Sequence, residues 1–116
     1  MIKKGNRGKA NYWGNYTVED VIELDKPVEC KSDVVGTALF NPTLVKIHWD
    51  KPPSVQHEFW FPYWITINGK EKYGQFAPMI PEAALLELMQ KAIERGFFSK
   101  DFLSRLQTTI SRRLNS

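Results

Sequence analysis

Cysteine is nearly missing from this chain of 116 residues, with Cys30 the single example. One thiol makes no intramolecular disulfide and no cysteine-rich zinc site. Histidine is scarce too. His48 and His57 are the only two, so no His, Cys and acidic spacing marks a metal centre, and no metal or cofactor is expected. No apolar run approaches the ~20 residues of a membrane helix. Residues 1–10 carry charge without a hydrophobic segment behind them, unlike a secretory leader. The expectation is a cytoplasmic protein without membrane contact. Internal repeats and low-complexity stretches are also lacking.

What is present describes an ordinary globule. Apolar residues make up 42% and charged residues 25%, which argues against intrinsic disorder. The length suits one domain spanning residues 1–116 and excludes an enzyme with a separate cofactor module. The net charge of +3 is unevenly spread. Lys3, Lys4, Arg7 and Lys9 put +4 on residues 1–10, residues 11–60 carry −4, and residues 61–116 carry +3. The first ten residues therefore read as a flexible basic arm able to contact phosphates.

Apolar spacing changes character along the chain. Up to about Phe76 it alternates with period two, and after Pro81 it recurs at three and four. The predicted fold is α+β: a mostly antiparallel sheet of about four strands, followed by a C-terminal two-helix hairpin packed on one face. Ile22, Leu24, Val28 and Cys30 share a strand face, which makes Cys30 a small core residue, with at most a short helical turn before it at Thr17–Asp20. Pro27 places that strand at an edge or bulge. Asn41-Pro42 is expected to break the chain before a strand at Leu44–Trp49. Val55–Ile67 is a strand that Pro62 bends, and Asn68-Gly69 is a type I′ turn pairing Ile67 with Lys70 and Trp64 with Tyr73. The helices are bracketed by Pro81 and Gly96, then by Ser99 and Arg112-Arg113. Their buried stripes are read as Leu85, Leu88, Met89, Ala92 and Ile93, and as Phe102, Leu103, Leu106, Ile110 and Leu114.

Face matching between the middle strands sets Val45, Ile47 and Trp49 beside His57, Phe59 and Phe61. The opposite face then collects His48, Glu58, Trp60, Trp64 and Tyr73. The hexapeptide Phe59–Trp64 holds five aromatic residues, more than two helices can cover on both sides. Trp60, Trp64 and Tyr73 are accordingly read as an exposed platform, with His48 and Glu58 on the same face. Three functions follow. The first is a small non-enzymatic interaction domain that meets a protein partner, or a second copy in a homodimer, through the aromatic face. The alternative is single-stranded nucleic-acid binding by those rings with Lys3, Lys4, Arg7 and Lys9. The third is a small enzyme using His48 and Glu58 as acid and base. If Tyr12, Trp13, Tyr16 and residues 33–40 fold over the platform, it becomes core instead.

Overall fold

The structure, a computed structural model, describes residues 2–10, 14–34, 36–51, 57–74 and 79–116. Seven strands come first: β1 (Arg7–Ala10), β2 (Gly14–Glu23), β3 (Val28–Ser32), β4 (Gly36–Trp49), β5 (His57–Trp60), β6 (Tyr63–Ile67) and β7 (Lys70–Tyr73). Helices α1 (Glu82–Glu94) and α2 (Lys100–Leu114) follow. All the strand pairs are antiparallel, so the class is α+β with more strands than the sequence suggested.

The extra strands arise because long strands are cut by bends. The 14-residue β4 is the spine. Along one edge its first half pairs with β3 and its second half with β2; along the other edge these halves pair with β6 and β5. On the β2–β3 edge the ladder stops at Glu23↔Thr43 and resumes at Val28↔Phe40. Residues 24–27, ending in Pro27, thus bulge opposite only Asn41 and Pro42. On the other edge Phe61 and Pro62 separate β5 from β6, and the Pro62 carbonyl accepts a bond from the Thr43 N–H at 3.0 Å. Three prolines therefore lie at one level of the sheet. Asn41-Pro42 does not break β4, because Pro42 falls where no ladder pair forms on the bulged side. Thr17–Asp20, which allowed at most a short helical turn, lies within β2, with a register shift between Val18 and Asp20. The basic N-terminal segment is not all free arm, since Arg7–Ala10 pairs with Gly14–Thr17.

Apolar residues collect on both sides of the bent sheet. On one side Ile22 and Leu44 meet Leu88, Ala92 and Phe97. On the other, Val18, Val45, Ile47 and Trp49 are buried with Ile2, Tyr16, Val21 and Trp60 packed against them. Cys30, expected in the core, is exposed: it keeps the parity of Ile22 but lies opposite Ala38 on the outer strand β3, outside the cluster that α1 and Phe97 form over Ile22 and Leu44.

Candidate functional site

Cross-strand register decides which rings meet. Val45 lies opposite Trp60, Lys46 opposite Phe59, Ile47 opposite Glu58 and His48 opposite His57. The face matching read from the sequence is therefore one residue out, and that slip moves every β5 side chain to the other face. Trp60 joins the Val45 and Ile47 side, while Phe59 turns towards Phe97 and Phe98, with ring centroids 6.3 and 5.1 Å away. His48 and Glu58 consequently lie on opposite faces and cannot act as a pair.

The predicted gathering of Trp60, Trp64 and Tyr73 does occur. Tyr73 lies 6.2 Å from Trp60 and 5.6 Å edge-on from Trp64. Tyr16 continues the row from Trp60, at 6.5 Å, to Trp49, at 5.7 Å. The row is not an open platform. Trp64 is 8% exposed and Trp60 is half-buried, leaving Tyr73, at 49%, as its accessible ring. Tyr16 supplies part of the cover that the sequence left open, whereas Tyr12 and Trp13 lie outside the described residues. The Tyr73 phenol is held above its ordinary range, first by burial among these rings, although a hydrogen bond with the Trp60 side chain opposes the rise. Tyr16 reaches its place by lying across Gly8, where an added Cβ would meet the ring at 2.3 Å.

On the helix side His57 has found a different carboxylate. Its Nε2 lies 2.8 Å from Glu19 Oε1, Lys46 Nζ approaches the same carboxylate at 3.9 Å, and the His48 ring is 5.7 Å from His57. Glu19 was not foreseen, because it sits in the β2 register shift, which alternation alone does not reveal. Among the described residues no group of three or more His, Cys, Asp or Glu side chains could hold a metal ion.

No family model, curated protein or solved structure matches this chain.

Three cations, Arg7, Lys91 and Arg95, are committed to internal partners. Arg7 pairs with Asp50 and also donates to Thr17 Oγ1. Lys91 bridges Asp25 at 2.8 Å and Glu87 at 2.9 Å, and donates to the Glu23 carbonyl. Arg95 donates to the Val21 carbonyl and lies 3.5 Å from Asp20. A polar groove of about 480 Å³ runs past Lys3, Asp25, Lys91 and Arg95. Asp25 and Glu87 already pair with Lys91, and Asp20 lies beside Arg95, so neither cation is free to cradle an anion there. Its bonds instead fasten α1 to the bulge beside β2. The hydrogen bond and charge of Lys91 hold the Asp25 and Glu87 carboxyls below their ordinary range, and those two carboxylates raise Lys91.

The largest departure from expectation is on the helices. Helix α1 buries Ala84, Leu88 and Ala92, but Leu85, Leu86 and Ile93 are 42%, 57% and 40% exposed. At ~100° per residue, Leu85, Met89, Ile93 and Leu86 form a second stripe well round from the first. The signal was in the sequence: apolar residues at Ala83–Leu86, Leu88, Met89, Ala92 and Ile93 wrap too wide an arc for one buried face. Helix α2 begins as predicted, with Ser99 Oγ accepting from the Phe102 N–H at 3.1 Å. Phe102 stacks on Phe98 at 4.6 Å. Beyond that turn the helix stands off. None of its residues is buried, so it does not pack on the sheet as the other half of a hairpin layer.

Proposed function

We propose that this chain is a protein-interaction domain whose contact surface is the apolar side of the two C-terminal helices. One observation carries the reading. Helix α2 is a 15-residue amphipathic helix with no buried residue, yet it presents Phe102, Leu106, Ile110 and Leu114 in one row at intervals of four. Water-exposed rows of this kind are normally covered by another polypeptide. Helix α1 carries a second exposed row, Leu85, Leu86 and Ile93. The contact thus moves from the aromatic sheet face, where Trp64 and most of Trp60 are withdrawn, to the helices. Photo-cross-linking from a probe replacing Leu106, in cells expressing the chain, should give discrete protein adducts. A probe at Thr108, on the polar side, should give few. Equal labelling from both positions, or none from Leu106, would overturn the reading.

Single-stranded nucleic acid is the second reading, favoured by the half-exposed Tyr73 ring beside Trp60. The pairing of Arg7 with Asp50 weakens it, since that arginine is already neutralised.

A further inference from the structure

We infer that the occupant of the α2 row is a second copy of this chain: α2 of each copy lies along the outward Leu85/Leu86/Met89/Ile93 stripe of the other copy's α1. This rests on the interaction reading above and names its partner.

Two vacant apolar stripes on one chain, close together yet unable to meet, support the exchange. The link between the helices is only Arg95–Ser99, and Phe97 within it is 3% exposed, locked among Ile22, Leu44, Leu88 and Ala92. That anchor draws the chain off the end of α1 towards the sheet, the side opposite the outward stripe. Phe98 then packs on Phe59 and Phe102, setting the start of α2 against β5. Folding α2 back over its own α1 stripe would require Phe97 to leave the core. A second copy meets the same need with both anchors in place. The rows also match in pitch: Leu85, Met89 and Ile93 step by four, as do Phe102, Leu106, Ile110 and Leu114, the ridges that interlock in the commonest helix packing.

Area and symmetry agree. At roughly 100 Å² of apolar surface per leucine-sized side chain, the half-exposed residues of the two rows offer about 400 Å² per copy. Interfaces are about 60% apolar, so the contact would bury about 700 Å² from each copy, near the ~800 Å² of a standard stable interface. The exchange is reciprocal, every α1–α2 contact occurring twice, and it closes as a two-fold dimer.

Sedimentation velocity of the full chain over about 1–100 µM, a range in which contacts of this size report themselves, should show a monomer–dimer equilibrium. Leu86→Asp on α1 and Ile110→Asp on α2 should each weaken it by about thirtyfold or more, as loss of a central interface side chain does. Both positions are exposed, so far-UV circular dichroism and the melting midpoint of the monomer should be unchanged. In a Cys30→Ser background, Leu86→Cys protein mixed with Ile110→Cys protein should give the mixed disulfide on oxidation. If Ile110→Cys alone couples efficiently and Leu86→Asp leaves the dimer intact, α2 pairs with α2 and the exchange is wrong. A monomer at every concentration overturns the second copy, as does a monomer that sediments with anionic phosphatidylserine vesicles through Ile110. Adducts from Leu106 to a different protein would keep the interaction reading while removing this one.

Discussion

At Gly74 there is room for a hydrogen and nothing more: a Cβ placed there would lie 1.9 Å from the Tyr63 ring, itself 7% exposed and packed edge-on against Phe40. A buried ring cannot swing aside freely, so Gly74→Ala should lower stability by about 1–3 kcal/mol through overpacking. A denaturant titration reads this directly, and an unchanged midpoint would mean that the ring yields. The aromatic row offers a sharper contrast between neighbours. Trp64→Ala should cost about 3–5 kcal/mol, because the indole is enclosed and its removal leaves a cavity. Tyr73→Ala, at the half-exposed end, should cost less than half as much. Equal losses would mean that the row is one buried unit. The single substitution that would have suited an open platform at Trp64 is thus a core mutation here.

At the scale of elements, local chemistry proved readable and long-range register did not. Asn68 and Gly69 have φ angles of 52° and 77°, and the strands they join pair Trp64 with Tyr73 and Ile67 with Lys70, as the sequence implied. A two-residue turn fixes its own register, so nothing distant can alter it. Gly69→Val should therefore cost on the order of 1 kcal/mol or more, since a branched residue resists positive φ; a thermal melt checks it. The β4–β5 register has no such device. Its connection is long and contains Pro52-Pro53, and either parity satisfies some apolar pairs. Trp60 with Val45 won over Phe59 with Val45, leaving Phe59 for Phe97 and Phe98. That choice is made by residues of the link between the helices, ~40 positions away, which is why strand alternation alone misplaced His48 against Glu58. The α1 tether is also non-local, and it yields a pH expectation. Asp25 and Glu87 titrate below their ordinary 3.8 and 4.5 when folded, so their contribution is present above that range and lost as pH falls through the lowered values. Lys91 titrates above its ordinary 10.5, so its share persists below that value and is lost at higher pH. Stability should hold between about pH 5 and 10 and decline outside this window, with Lys91→Met flattening both limbs. The effect should be modest and salt-sensitive, because the groups are exposed.

The whole molecule is wider than a chain of this length packed tightly. Its radius of gyration is 16.4 Å, with extents of 44 × 43 × 22 Å, against about 13 Å expected for a compact domain of this size. The protruding α2 fits that excess. If the basic segment and Tyr73 bound single strands instead, affinity should fall with salt by about 0.7 in log–log slope per phosphate contact. Deleting residues 1–6 should then flatten the slope, whereas Asp50→Asn should steepen it by freeing Arg7. Fluorescence anisotropy with a mixed oligonucleotide at low salt decides, and absent binding there ends that reading. The sheet itself is badly suited to recruiting another strand. Among the described residues the outer strands β1, β3, β5 and β7 are only four or five residues long, and each carries charge. The one long strand near an edge is β2, and beyond β1 its outward carbonyls at Val21 and Glu23 are already occupied by Arg95 and Lys91. The bonds that fasten α1 thereby act as a lid on a polymerisation template, denying a neighbouring chain the open ladder from which fibrils grow.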